Sequence, residues 1–271
     1  MKNFRKISIL IAIVIVSAFA VPVFAGEHTI PYPKSYDIIS SGASSYLGSS
    51  NHLDSIYFAA PDYFEMQSNS DRTMISRYMT YQQTTEFTCG PASALTVLYY
   101  YGEKSYDELK ISKMMGTLFA IDKDGEIGTS TAKMVNFFKS IGWNVTSSLS
   151  TADISGTSFE DIVSFKDFVL SCLKQGIPIM VENLYMGGHW RVIIGYDTLG
   201  TPRTQDDVLI FADSYDVNDH KQDGFMAESA ENFFYTWLDI GMLPKDQRDQ
   251  QWVVAYPKDA KFPQVPAQKK K

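Results

Sequence analysis

Cysteine is scarce in this sequence of 271 residues, which contains only Cys89 and Cys172. Two cysteines are too few for a disulfide scaffold, although a pair between them is an open alternative in an oxidising compartment. The metal-binding patterns HExxH and CxxC are also absent. We therefore expect no metal site and no cofactor, with calcium binding by the acidic loop Asp213–Asp223 left open.

Positive charge is scarce as well, because 24 Lys and Arg residues face 31 Asp and Glu residues, for a net charge of −7. An acidic chain is a poor candidate for binding nucleic acid or anionic lipid through surface electrostatics. We therefore expect no nucleic-acid partner.

Long apolar runs are absent except near the start of the chain, where residues 7–20 are almost purely apolar and follow three basic residues. Small residues then precede a break after Ala25, which is the pattern of a cleaved secretory signal peptide at 1–25. An uncleaved anchor is the alternative, but the apolar run is short for a membrane span of about 20 residues.

Cleavage after Ala25 would remove three positive charges and no negative ones, so the net charge would change from −7 to −10. We expect the mature protein to be secreted or held in the cell envelope, with no stable membrane association after cleavage.

The remaining chain suits one domain with extensions. Residues 26–79, rich in Ser, Tyr, Pro and Gly, are interpreted as an N-terminal segment packed on the main domain. The main domain is expected at 80–257, and the Pro-rich, basic tail at 258–271 is expected to be disordered.

Within the main domain, helical patterns come first and strand patterns follow. Apolar periodicity predicts helices in CGPASALTVLYYYG, SYDELKISKMM, GTSTAKMVNFFKSIGW and SFKDFVLSCLKQG. Ser105–Glu108 is interpreted as a capping box and Ser164 as a helix cap. Strands are predicted in IPIMVEN, HWRVIIGYD, DVLIFADS and QWVVAYP, with a helix SAENFFYTWL before the last. This order predicts an α+β fold with an antiparallel sheet.

Cys89 lies where a loop meets the first of these helices, because Thr88 is a good N-cap and Pro91 is tolerated only in a first turn. A helix N-terminus and a neighbouring imidazolium both favour the thiolate, which is the reactive form of cysteine. Cys172 instead lies on an apolar helix face, as is typical of a core residue. We therefore interpret Cys89 as a candidate nucleophile.

His189 is the candidate base, because it opens a predicted strand directly after Gly187 and Gly188, where a substrate can approach closely. The other histidines lie in the N-terminal segment or in the acidic loop: His28, His52 and His220.

The strands HWRVIIGYD and DVLIFADS are interpreted as an antiparallel pair. If His189 faces Asp213, then Gly195 faces Asp207, because paired positions have a constant index sum. A carboxylate beside the imidazole can fix its tautomer and stabilise its cation. Asp213 is therefore the predicted partner of His189, and Asp216 is the nearby alternative.

An acyl-transfer site also needs hydrogen-bond donors for the oxyanion that develops on the substrate. The backbone N–H of Cys89 is one candidate donor. The side-chain amide of Gln83, six residues before Cys89, is a second candidate, with Gln82 beside it as the alternative.

The segments YQQTTEFTCGPASALTVLYYYG, GTSTAKMVNFFKSIGW, GGHWRVIIGYD and DVLIFADSYD together resemble the C39-like, papain-like cysteine peptidases over about residues 80–257. That family's pattern is a Gln upstream of a Cys-Gly-Pro-Ala helix start, then a Gly-His-aromatic strand and a strand that ends in Asp. The resemblance implies an α+β papain-like fold, with Cys89 as nucleophile, His189 as base, Asp213 as its orienting partner and Gln83 in the oxyanion hole.

One departure from the family's pattern is Asp213-Ser214, where the family commonly has Asp-Pro; we expect a looser turn that keeps the carboxylate. The best-known members are fused to transporters and cut leader peptides behind a double glycine. The sequence has no transporter segment and begins with the predicted signal peptide, so we do not carry that substrate over.

The leading hypothesis is an exported cysteine peptidase or amide hydrolase that acts on a peptide or protein substrate. One alternative is acyl transfer to an amine, because phytochelatin-synthase-like relatives of papain show a similar order of Cys, His and Asp. The other alternative is a non-catalytic module on the same fold, which a Cys89–Cys172 disulfide would favour.

Overall fold

The computed structural model describes residues 28–36, 41–46, 52–151 and 158–260. The α-helices in these ranges are α1 (Cys89–Tyr100), α2 (Glu108–Met115), α3 (Thr131–Ser140), α4 (Ser148–Thr151), α5 (Ile162–Lys174) and α6 (Ala230–Tyr235). None of these helices is long and apolar enough to cross a membrane. The signal peptide predicted at 1–25 and most of the tail predicted at 258–271 lie outside the described residues.

The strands form one antiparallel sheet in the order β2-β7-β3-β4-β5-β6, and β1 also pairs with β4. They are β1 (Arg72–Met74), β2 (Asn144–Ser147), β3 (Ile179–Asn183), β4 (His189–Asp197), β5 (Val208–Ala212), β6 (Phe225–Ser229) and β7 (Gln251–Tyr256). This arrangement confirms the predicted α+β fold. Strands β1, β2 and β6 were not predicted, because each is short and contains few β-branched and aromatic residues.

Helix α1 lies inside the domain, in contact with β4, α2 and α3. Its residues from Cys89 to Leu98 are buried on every face, as expected of a helix that is apolar all round. Gly90 permits a close approach to the segment before α3, since a Cβ at that position would lie 2.8 Å from the Cβ of Thr129. Helix α1 therefore holds Cys89 on a rigid, enclosed element.

Helix α5 packs against β1, β4 and α6 through a buried apolar face that includes Phe165, Phe168 and Cys172. Cys172 is fully buried, as predicted, and neither cysteine is in a disulfide. The Cys89–Cys172 disulfide considered from the sequence is therefore not formed.

Two helix caps differ from those predicted. Asp107, not Ser105, caps α2, and Glu108 has its carboxylate buried beneath the helix rather than in a capping box. Asp161 caps α5, and Ser164 is the third helical residue, whose hydroxyl completes a reciprocal capping box with Asp161. The predictions wrongly favoured serine, because an aspartate at the same boundary accepts the same hydrogen bonds.

The predicted register between β4 and β5 is wrong. Gly195 faces Ile210 instead of Asp207, and an irregularity interrupts the pairing next to Gly195. The pairing is shifted from the predicted one on both sides of this irregularity, and the bulge adds a further shift of one residue between them. Strand β5 ends at Ala212, so Asp213 lies in the turn beyond it.

The described parts of the N-terminal segment contact the strand-like lead into α1. The N–H of Ile30 donates to the Thr80 carbonyl at 2.6 Å, and the N–H of Ser44 donates to the Gln83 carbonyl at 3.1 Å. Gly42 lies so close that a Cβ there would be 2.5 Å from the Gln83 carbonyl oxygen. These contacts fix the backbone that carries Gln83.

Candidate active site

Cys89 begins α1, as predicted, and lies on the wall of a cavity of about 290 Å³ with 6% of its surface exposed. Thr88 occupies the N-cap position, but its hydroxyl donates to Glu108 at 2.5 Å and makes no cap hydrogen bond. By position, the N–H groups of Cys89 and Gly90 have no acceptor inside the helix. These groups stabilise negative charge close to the sulfur.

His189 begins β4, as predicted, and its Nε2 lies 2.7 Å from Oδ1 of Asp213. The imidazole also interacts with the Cys89 side chain. Since Nε2 faces the carboxylate, Nδ1 is the nitrogen on the side of Cys89. Burial lowers the pKa of His189, but Asp213 and Cys89 outweigh burial and raise the pKa from 6.5 to about 9.

Asp213 is fully buried in the turn after β5, where its N–H donates to the Gly224 carbonyl at 2.9 Å. Its Oδ1 accepts hydrogen bonds from both His189 and the Tyr215 N–H. Burial raises the pKa of Asp213, but the His189 cation outweighs this effect and holds the pKa below its ordinary value. Asp213 therefore reaches His189 from the turn, despite the wrong predicted register.

Asp216, the alternative partner considered from the sequence, faces another way. Its Oδ2 accepts a hydrogen bond from the Gly224 N–H at 2.8 Å. Burial raises the pKa of Asp216 to about 9, with further contributions from Asp219 and Asp213. This carboxyl group is therefore neutral near pH 7 and is not the group that pairs with His189.

Gln83 lies on the same cavity wall as Cys89, whereas Gln82 does not line the cavity. The Gln83 Nε2 donates to the Thr85 carbonyl at 2.8 Å, and Oε1 accepts from the Ser214 hydroxyl at 2.8 Å. Because a carbonyl only accepts, these two contacts fix which end of the amide is the donor. An amide nitrogen carries two hydrogens, so one remains beyond the hydrogen bond to Thr85.

Ser214 is a positioning residue that sequence reasoning did not identify. Besides its hydroxyl, its backbone carbonyl accepts a hydrogen bond from the Gln83 N–H at 2.8 Å. The serine stands where the resembling family commonly has proline, which carries no hydroxyl. The departure was visible in the sequence, but its contact with Gln83 is made across 131 positions.

Glu108 is a second residue that was missed, because the sequence assigned it to a capping box. Its buried carboxylate accepts hydrogen bonds from the Tyr81 hydroxyl, the N–H and hydroxyl of Thr84, and the Thr88 hydroxyl. Burial raises the pKa of Glu108, while these donors oppose the shift. Glu108 therefore ties α2 to the loop that precedes Cys89.

The cavity wall combines residues from five separate stretches of the chain. Its lining residues are Gln83, Glu86, Phe87, Cys89, Ile127, Gly128, Thr129, Glu182, Met186, Gly187, Gly188, His189, Trp190, Tyr215, Asp239, Met242 and Leu243. The other three histidines are not among them. Across the part of the chain that the structure describes, no group of three or more His, Cys, Asp or Glu residues is arranged to hold a metal ion.

The model of the Peptidase_C39 like family matches residues 75–243, which is more than half of the chain. The chain therefore belongs to this family, and the resemblance to C39-like peptidases and the predicted papain-like fold are confirmed. Membership of the family indicates a cysteine peptidase.

Among solved structures, the chain is similar to the peptidase domain of Streptococcus ComA, a bifunctional ABC transporter involved in a quorum-sensing pathway. The two share 19% sequence identity with a TM-score of 0.41, over 67% of this chain and 99% of the other. No curated protein matches the chain significantly.

Proposed function

We propose that the protein is an exported cysteine peptidase or amide hydrolase in which Cys89 is the nucleophile, His189 the general acid and base, and Asp213 its orienting partner. The proposal depends on the position of the His189 imidazole. This ring lies on a cavity wall between the Cys89 side chain and the Asp213 carboxylate. The predicted signal peptide supports the exported location.

In the first half of the reaction, the Cys89 thiolate attacks the carbonyl carbon of the scissile amide and forms a C–S bond. The Cys89 N–H and the remaining amide hydrogen of Gln83 stabilise the oxyanion. Nδ1 of the His189 imidazolium then donates its proton to the leaving nitrogen, the C–N bond breaks, and a thioester remains.

In the second half, a water molecule gives a proton to Nδ1 of the now neutral His189 and attacks the thioester carbonyl. The tetrahedral intermediate collapses with release of the acid product and the Cys89 thiolate. Asp213 holds Nε2–H throughout, so that Nδ1 faces the reacting atoms in both halves.

The test is labelling of the purified protein with an iodoacetamide probe, identification of the modified cysteine by mass spectrometry, and peptide hydrolysis assays. We expect labelling at Cys89 and no hydrolysis by the Cys89→Ala variant, with activity retained by the matched Cys172→Ala variant. Hydrolysis that persists in Cys89→Ala would contradict the proposal. Product that forms only when an amine acceptor is added would indicate acyl transfer instead.

A further inference from the structure

Two buried acidic side chains lie in the same cavity wall as Cys89 and His189, and the proposed reaction does not use them. Glu182 is on β3 and Asp239 follows α6, with 3% and 0% of their surfaces exposed. Glu182 lies near enough to Cys89 to interact with it electrostatically. Burial of an acidic side chain without a counter-charge lowers the stability of the folded protein. The presence of two such side chains side by side therefore suggests a function for them.

One oxygen of each carboxyl group lacks a donor. Within the described residues, no other group donates to Glu182 Oε2 or Asp239 Oδ2, and the two carboxyl groups face each other closely enough to share a hydrogen bond when one of them is protonated. Burial and the Asp239 carboxylate raise the pKa of Glu182 well above its ordinary value. Two facing carboxyl groups need a shared proton or a cation between them, because two ionised groups in contact repel.

The backbone fixes the direction of the Asp239 carboxyl group. Its Oδ1 accepts hydrogen bonds from the N–H groups of Gly241 at 2.8 Å and Met242 at 3.0 Å. This anchoring leaves Oδ2 directed toward Gly188, where a Cβ would lie only 2.7 Å from that oxygen. Gly188, at φ +109°, therefore keeps the space in front of the acidic pair open.

Apart from Gln83, Thr129, Tyr215 and the His189 side that faces Cys89, most of the remaining cavity wall is apolar or acidic. Phe87, Ile127, Met186, Met242 and Leu243 contribute apolar surface, and no Lys or Arg is among the described residues that line the cavity. A site that combines apolar surface with an acidic pair that makes no ion pair is complementary to an aliphatic stem that ends in a positive charge.

We propose that Glu182 and Asp239 form a subsite that binds a basic side chain of the peptide substrate, with the charged group between Oε2 and Oδ2. This inference rests on the proposed function, since it names a substrate class for the same cavity. When the cation binds, the proton that the two carboxyl groups share in the free protein is released to solvent, and both carboxylates then face the positive charge. The methionine and leucine side chains pack against the stem of the substrate residue.

The neutral analogue is the discriminating probe, because norleucine has the stem of lysine without its ammonium group. It would gain no charge-assisted hydrogen bond from the two carboxyl groups, and sites built to pair with a polar group on the substrate reject an analogue that lacks it. We therefore expect lysine to exceed norleucine in kcat/KM by at least about tenfold at one substrate position.

The experiment uses acetylated, amidated hexapeptides in which one lysine or norleucine is placed at each position in turn. A second pair, arginine and citrulline, shows whether the subsite prefers an ammonium or a guanidinium group. Glu182→Gln and Asp239→Asn should reduce the basic-to-neutral ratio toward one, whereas the exposed Glu65→Gln should leave it unchanged. Circular dichroism and the midpoint of urea unfolding show whether each variant is folded.

The outcomes separate this inference from the proposed function. Hydrolysis by the wild-type protein with equal rates for lysine and norleucine at every position overturns the subsite and leaves the hydrolase intact. A lysine preference that survives in folded Glu182→Gln and Asp239→Asn also overturns it. If the wild-type protein hydrolyses no peptide, calorimetry with the same hexapeptides decides, and tighter binding of the lysine peptide supports the subsite alone.

Discussion

At the scale of single residues, His189 is subject to opposing influences. Burial disfavours its cation, and the Asp213 carboxylate at 2.7 Å favours the cation more strongly, so that the pKa of His189 rises from 6.5 to about 9. The stability contributed by the raised pKa of His189 is therefore fully present below about pH 6.5 and is lost as the pH rises through about 9, whereas the contribution of Asp213 is lost as the pH falls through its lowered pKa. The proton that the imidazolium loses in this titration is the one on Nδ1, because Asp213 holds the proton on Nε2. In the proposed reaction, the Nδ1 proton is given to the leaving nitrogen.

Asp213→Asn should lower kcat/KM by about 100-fold or more, because it removes the charge that holds His189 protonated. The alkaline limb of the pH–rate profile, expected near pH 9 in the wild-type protein, should move to lower pH in this variant. Steady-state rates of peptide hydrolysis between pH 5 and 10 measure both effects.

Asp216→Asn is the matched control, since Asp216 is also buried in the same loop and its pKa of about 9 makes it neutral near pH 7. The asparagine oxygen can keep the hydrogen bond from the Gly224 N–H. A larger loss of activity in Asp216→Asn than in Asp213→Asn would contradict the assigned roles.

At the scale of secondary-structure elements, Glu108 connects the start of α2 to the loop before α1. A single carboxylate accepts four hydrogen bonds from Tyr81, Thr84 and Thr88, and this loop also carries Gln83. The spacing between Gln83 and Cys89 is therefore maintained from a neighbouring helix and not by the loop alone.

Glu108→Gln should lower the free energy of unfolding by about 2 kcal/mol, because an amide N–H₂ would face hydroxyl and N–H donors that need an acceptor. Urea unfolding followed by circular dichroism measures the change. Glu103→Gln in the preceding loop is the control and should change stability by less than about 0.5 kcal/mol, because the glutamine oxygen can keep the hydrogen bond from the Ser105 N–H. Equal stability of the two variants would show that Glu108 does not anchor the loop.

Many of the helices and strands that position the site could be predicted from the sequence. Cys89 begins a helix and His189 begins a strand because local signals, a proline in a first turn and a glycine pair before a β-branched run, are contained in adjacent residues. The register of β4 and β5 could not be predicted, because a bulge beside Gly195 depends on packing against Ile210.

At the scale of the whole molecule, the cavity is assembled from stretches that are far apart in the sequence. Glu182 and Asp239 are separated by 57 positions, and each has an ordinary local context, a strand and a turn. No local pattern marks two acids as neighbours, so this pair could not be predicted. Cys89 and His189 could be identified because each has a local signal, a helix start and a glycine pair before a strand, and the family resemblance agrees with their order along the chain.

The two free thiols occupy different parts of this fold. We expect one of them to react with alkylating reagents in the native protein and the other to react only after unfolding. Cys89 lies on the cavity wall, whereas Cys172 is fully buried in the face of α5 that packs on the sheet. Burial raises the pKa of Cys172 to about 12, so the native protein contains almost no Cys172 thiolate at neutral pH.

The Cys89→Ala variant, in which Cys172 is the remaining thiol, should therefore react with iodoacetamide only when the whole domain opens. Its labelling rate should rise with urea in step with the unfolded fraction, since opening of core helices requires free energy close to that of global unfolding. The Cys172→Ala variant should label at Cys89 without urea at pH 7. Rapid labelling of Cys172 in native buffer would mean that α5 opens independently of the sheet, and the domain would then not unfold as one cooperative unit.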